Sequence, residues 1–231
     1  MLSGLRPNLR NLVLVLLAST MVLSLIYSNS IQYGHADVPA AQTAAEIQPL
    51  KAGDNAPFFT VETVDDERFD FDPRKLERPA LLISFRGGWC PFCNMHLSEL
   101  RHVIPEINRM GIDVLFLSGD RPELLFSSLK RETQDDIAGL GYTILSDANA
   151  QAAVALGIAF KVSARTIKGR HNKGQDIEES SMARHGVLPV PAVFAVNSAG
   201  TITFAYANPN YKVRVPVDEL LAAAREIAIA E

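Results

Sequence analysis

Hydrophobic residues in this chain of 231 recur in two rhythms. "ALLISF" (80–85), "IDVLFLSG" (112–119) and "GYTILSD" (141–147) are short apolar runs bounded by turn residues, the pattern of strands buried on both faces. "FFTVETVDDERFDF" (58–71) is a pair of β-prone runs around Asp65 and Asp66 and predicts a hairpin. Leu97, Leu100, Ile104 and Ile107 return at helical spacing, so a helix is predicted over 90–109, disturbed at Pro105 and ended by Gly111. "RPELLFSSLKRE" (121–132) has helical spacing behind a proline, and "ANAQAAVALG" (148–157) is a short helix closed by Gly157. "PAVFAVNSAGTITFAYA" (191–207) predicts two strands joined at 198–200, and "VPVDELLAAAREIAIA" (215–230) a closing helix with Leu220, Leu221 and Ile227 toward a core. Strands and helices alternate, and no internal repeat appears.

Two segments stand apart. Arg6 and Arg10 precede the uncharged run 11–27, and no further charge occurs before Asp37. This is the pattern of an export segment, cut after Ala36 or retained as a membrane anchor through 11–27. Residues 1–36 are therefore expected to be signal peptide or anchor, 37–49 a linker and 50–231 the folded domain. The protein is then extracytoplasmic, in a periplasm or secreted, and possible anchoring in the cytoplasmic membrane stays open. The second segment, 161–186, is polar, with basic residues first and acidic ones after. A solvated loop or short helices is the default expectation, and a lid or partner-docking surface the alternative.

The composition, 48% hydrophobic and 21% charged, is that of a folded globular protein. A formal net charge of -4 provides no basic excess to neutralise phosphates, which sets nucleic-acid binding aside.

The only two cysteines, Cys90 and Cys93, sit together where the run 80–85 gives way to a helix start. Unpaired N–H groups and partial positive charge at that start favour a thiolate. Pro91 suits a first turn, and a second thiol one turn away can displace whatever becomes attached to the first. The pair therefore reads as a reversible redox centre. A zinc site using Cys90, Cys93 and His96 lacks a second ligand pair, and a permanent disulfide would close too small a ring to gain much chain entropy. Trp89 is expected to pack beside the site, and Arg86 is either a solvated charge or a group that holds the thiolate. His96 is either a partly exposed helix residue or a base. Arg184 and His185 are further candidates to line the site.

"SFRGGWCPFC", the preceding "KAGDNAPFFT" and the later "LPVPAVFAVNSAGTITFAY" together resemble the peroxiredoxins of the alkyl hydroperoxide reductase / thiol-specific antioxidant family, in the branch carrying Cys-x-x-Cys. The resemblance runs from about Leu50 to the C-terminus. It implies an α/β, thioredoxin-like fold: a central mixed sheet flanked by helices, with an N-terminal β-hairpin extension. The motif matches in two registers. Against peroxiredoxins the attacking cysteine is Cys93, the family threonine becomes Cys90, and the activating arginine falls on Pro191. Against thioredoxins Cys90 is the nucleophile and Cys93 the resolving thiol. Pro191 then takes the place of a cis-proline, where the backbone of Val190 would pair with a substrate chain. The buried acid of that register falls on Ser84.

The resemblance implies a thiol-dependent, thioredoxin-dependent peroxidase that reduces hydroperoxides through Cys90 and Cys93, with Trp89, Arg86, Val190 and Pro191 in support. The reductant is an external dithiol such as a thioredoxin-like protein. A thiol-disulfide oxidoreductase acting on protein disulfides, or a non-catalytic binding domain with a structural disulfide, are the alternatives. No flavin, nicotinamide, haem or phosphate-binding motif occurs, so no cofactor or metal is expected.

Overall fold

In the computed structural model, residues 39–229 are described. The export segment expected over 1–36 lies outside them. The expected linker does not behave as one where it is described: Ala41 exchanges backbone hydrogen bonds with Ala159 and Lys161. Ala44 opens a single helical turn, and Ile47 and Leu50 pack onto the core. Those apolar side chains gain more by burial than a solvated tether allows.

The centre is β3 (Ala80–Phe85), every residue of which is buried. Leu81, Ile83 and Phe85 face one apolar cluster and Ala80 and Leu82 another, because successive side chains in a strand point to opposite faces. That is why the run carries no polar alternation. β4 (Asp113–Ser118) and β5 (Thr143–Ser146) follow in parallel, while β8 (Ala192–Val196) and β9 (Ile202–Ala207) extend the other edge antiparallel. The hairpin of β1 (Phe59–Glu62) and β2 (Arg68–Phe71) joins β5 through Glu62 opposite Ser146. The order is β2-β1-β5-β4-β3-β8-β9, a mixed sheet with helices on both faces. This is the expected α/β thioredoxin-like architecture with its N-terminal hairpin.

On one face lie α1 (Pro91–Leu100), α2 (Ile104–Arg109), α3 (Arg131–Ile137) and the closing α7 (Val217–Ile229); α4 (Gln151–Ala155) lies on the other. The single helix expected over 90–109 is two, because residues 101–103 form a turn and Pro105 lies in the first turn of the second helix. Proline has no N–H to donate and is tolerated only in a first turn. The stretch 121–132 is likewise not one helix: a short turn at Pro122–Leu124 precedes α3, although Leu125 and Leu129 still reach the core.

Between α4 and β8 the chain forms structure that hydrophobic spacing did not announce. β6 (Ala159–Lys161) pairs antiparallel with β7 (Val187–Pro189). They bracket α5 (Ala164–His171) and α6 (Ser181–His185). Ile177, Met182 and Leu188 form a small cluster of their own there, onto which Trp89, Phe160 and Ile167 pack. Among the described residues no helix is long and apolar enough to cross a membrane.

Candidate active site

β3 ends in a loop that must turn sharply into α1. Gly87 has φ +142°, a conformation side chains rarely adopt, and a Cβ there would meet Asp120 Oδ1 and Trp89 Nε1 at 2.5 Å. Gly88 donates its N–H to Asp120 Oδ2 at 2.7 Å. Asp120 also accepts from the Ser128 hydroxyl at 3.0 Å, and its carboxyl is pushed up to about 6 by burial against those bonds. Asn94 ties the far side: Nδ2 donates to the carbonyls of Gly88 at 2.7 Å and Cys90 at 3.0 Å, while Oδ1 accepts from Lys130 N at 2.7 Å. Asp120 and Asn94, neither singled out by sequence, thus clamp the loop that presents the cysteines.

Cys90 is the N-cap of α1, Pro91 its first residue, and Cys93 lies in the first turn. Both thiols are free and only 1% exposed. Hydrogen bonding from the Cys93 thiol draws the Cys90 thiol down to about 6 against the opposing effect of burial. The Cys93 amide and the charges of Arg86 and Arg214 add to that pull. Cys93 is pushed up, first by burial and then by its bond to Cys90. Of the two, Cys90 is the more acidic thiol and Cys93 the less acidic.

Two guanidinium groups attend the pair. Arg86 is 6% exposed and lies over the rings of Trp89 at 5.1 Å and Tyr211 at 4.7 Å. Burial works against its charge, and the two sulfurs support it. Arg214 comes from the segment between β9 and α7. Its Nη2 lies 3.3 Å from Cys93 Sγ and 4.0 Å from Cys90 Sγ, while Nη1 is fixed by the carbonyls of Tyr211 and Val213. Arg214 is nearer Cys93, and its charge favours the anionic form of either sulfur. Tyr211 is itself held edge-on to Phe92, with ring centres 5.8 Å apart.

Other expectations are placed differently. Every described peptide bond is trans, which corrects the cis-proline expected at Pro191. Val190 N–H already donates to Ile158 at 3.0 Å, and the Pro191 carbonyl accepts from Asn208 N at 3.1 Å, so this backbone is engaged within the fold. Ser84 is buried. His96 is no partly exposed helix residue: it is buried, and burial with the nearby Arg214 charge lowers it to about 4, leaving a neutral imidazole. Arg184 is committed to Glu179 at 2.8 Å and to Asn149 Oδ1 at 3.0 Å. No group of three or more potential metal ligands occurs among the described residues.

The pattern of the AhpC/TSA family matches residues 52–205. The chain belongs to that family. It is thus a thiol-dependent oxidoreductase, with the peroxiredoxin type of thioredoxin-like fold. Peroxiredoxin Bcp of Escherichia coli strain K12 is 31% identical over 112 residues, 48% of this chain and 67% of that protein. The thiol-disulfide oxidoreductase ResA of Halalkalibacterium halodurans is 25% identical over 108 residues, 47% of this chain and 57% of its own. Among solved structures, a peroxiredoxin-like protein from Aquifex aeolicus superposes with a TM-score of 0.58 over 78% of this chain and 89% of its own, at 19% identity, a likeness of fold.

Proposed function

We propose that this protein is a thiol peroxidase in which Cys90 attacks a hydroperoxide and Cys93 resolves the product. The Cys90 thiolate attacks the terminal peroxide oxygen, the O–O bond breaks, and the departing alkoxide or hydroxide takes a proton. Cys90 is then a sulfenic acid. The Cys93 thiol displaces its oxygen as water, and a Cys90–Cys93 disulfide forms. An external dithiol, such as a thioredoxin-like protein, returns two electrons and restores the thiols.

The observation that carries this reading is the placement of Cys90 at the N-cap of α1, with Cys93 in the first turn and the guanidinium groups of Arg86 and Arg214 beside the pair. Where the family arginine is replaced by Pro191, Arg214 brings an equivalent charge from a different part of the chain. Oxidation of the reduced protein by hydrogen peroxide, followed as thiol loss, tests it. Rapid loss that disappears in Cys90→Ser, with sulfenic acid accumulating in Cys93→Ser, supports the assignment. Rapid loss that survives Cys90→Ser transfers attack to Cys93.

Exchange with protein disulfides is the second reading, favoured by the Trp-Cys-x-x-Cys match and the ResA relative. The engaged N–H of Val190 counts against it, since a substrate chain finds no free donor there. Slow reaction with peroxide beside rapid exchange is its signature. An extracytoplasmic setting belongs to the same proposal, supported by Arg6 and Arg10 ahead of the uncharged run 11–27.

A further inference from the structure

The insertion between β6 and β7 is not used by the chemistry above, and its charges are sorted. Asp176 is held by Arg121 through two hydrogen bonds of 2.9 Å, and Glu179 by Arg184 at 2.8 Å. The first half is basic throughout. Residues 161–173 hold five Lys and Arg and no Asp or Glu, in a chain whose net charge is -4. Arg165, Lys168 and Lys173 are exposed, and none of them is ion-paired among the described residues.

This basic face is tied to the redox pair. Arg170 lies over the Trp89 ring at 4.5 Å and donates to Gln175 Oε1 at 3.3 Å, and Gln175 Nε2 donates to the Trp89 carbonyl at 3.4 Å. Ile167, on the same helix, packs with Trp89 on the apolar cluster of the insertion. Trp89 immediately precedes Cys90. Arg86 and Arg170 thus present two cations to one indole, an arrangement that an arriving carboxylate relieves.

We propose that the 161–173 segment is the docking surface for an acidic protein dithiol, the partner that reduces the Cys90–Cys93 disulfide. The inference rests on the redox reading of that pair and names its reductant by charge. The cations extend from Arg165 to the end of α5, a rise of about 9 Å, which suits a surface bearing several carboxylates rather than one small anion. A bilayer fits less well, because none of the large exposed hydrophobic side chains belongs to this segment and nothing there would enter lipid. In the reaction, a partner thiolate attacks one sulfur of the disulfide and the other sulfur leaves as thiolate. The second partner thiol then displaces the first, so that the partner departs oxidised and Cys90 and Cys93 gain two electrons.

The test compares the parent with the full-length triple variant Arg165→Glu, Lys168→Glu and Lys173→Glu, both oxidised, each reduced either by a thioredoxin of net negative charge or by dithiothreitol. Charge steering raises association about 10-fold to 1000-fold. The expected result is a fall of at least about tenfold in the thioredoxin rate at low salt, shrinking as salt screens the parent, beside equal dithiothreitol rates. The single variant Lys168→Glu gives the same ordering with a smaller drop and serves if the triple variant folds poorly. Equal thioredoxin rates for variant and parent overturn the proposal. So does salt-sensitive binding of the parent to phosphatidylglycerol vesicles with no change in thioredoxin rate. Failure of the parent to react with hydrogen peroxide removes the peroxidase reading alone, since the reduction rates are measured independently of peroxide.

Discussion

Arg214 reaches back across 121 residues of chain to place Nη2 3.3 Å from the sulfur of Cys93. Its other terminal nitrogen is pinned by the carbonyls of Tyr211 and Val213, so the charge is positioned before any substrate arrives. Together with Arg86 it puts two cations on a site whose compensating charge is the Cys90 thiolate. Formation of the disulfide removes that negative charge and leaves both guanidinium groups facing neutral sulfur.

Arg214→Gln should therefore weaken the thiolate and favour the disulfide together. An acidity loss of about one pKa unit at Cys90 corresponds to roughly tenfold in thiolate stability. The rate of peroxide oxidation near pH 6 should fall by a similar factor. Because a less stabilised reduced form makes the disulfide harder to reduce, the reduction potential should move more negative, by up to about 30 mV. Equilibration against a glutathione buffer measures the potential, and thiolate ultraviolet absorbance the acidity. An unchanged potential means that Arg214 only packs against the pair.

The pH dependence of peroxide oxidation has a definite sign. With Cys90 drawn down to about 6, the reactive thiolate is lost as pH falls through that value and is nearly complete above about pH 7. The rate should thus plateau from about pH 7 upward, whereas an ordinary thiol near 8.5 would still be gaining thiolate there. His96, lowered to about 4 by burial and by Arg214, adds no inflection in this range. A rate that keeps rising between about pH 7 and pH 9 excludes the acidic Cys90.

Gly88 has no room to change. A Cβ there would lie 2.0 Å from Ser128 Oγ, 2.5 Å from the Ser128 carbonyl carbon and 2.7 Å from Leu129 N, and the last two are backbone. Gly88→Ala should cost about 1–3 kcal/mol by overpacking and lower Tm by about 2–4 °C per kcal/mol. Gly169, inside α5 with nothing within 4 Å of its Cβ position, is the contrasting site. Gly169→Ala should raise stability by up to about 1 kcal/mol through helix propensity. Thermal unfolding of both variants separates crowding at the motif from a general cost of replacing glycine.

What could be read from sequence followed from local repetition. The runs at β3 and β4 named themselves as buried strands because both faces of each pack on apolar clusters, and Cys90, Pro91 and Cys93 named a helix start by spacing alone. The 121–132 stretch misled because Leu125 and Leu129 are core residues at helical spacing, while Asn94 and Asp120 hold Ser128 and Lys130 in a different backbone path. Arg214 was illegible for another reason. It sits in a segment without periodicity, its neighbours in space are remote in sequence, and the resemblance pointed instead to Pro191. Trp89 gave no sign that α5 would fold back onto it, since that contact depends on tertiary packing around Ile177 and Met182.

Asn94 offers the sharpest test that the motif loop is held from behind. Its side chain is buried and fully bonded, giving two hydrogen bonds to the Gly88 and Cys90 carbonyls and receiving one from Lys130 N. Asn94→Ala leaves the Lys130 amide and the Gly88 carbonyl without this partner, at about 1–3 kcal/mol each. A fall in Tm of about 5–15 °C is expected. Loosening the loop should also let Cys90 leave the N-cap geometry, so its thiol should become less acidic in the same variant. Asn94→Asp is the companion variant. It keeps an acceptor for Lys130 but loses both donated bonds and turns a buried carboxylate oxygen toward the Gly88 and Cys90 carbonyls, so stability and Cys90 acidity should both fall. If both variants leave the Cys90 titration at its parent value, the clamp stabilises the fold without setting the chemistry, and the acidity resides in Cys93 and the two arginines alone.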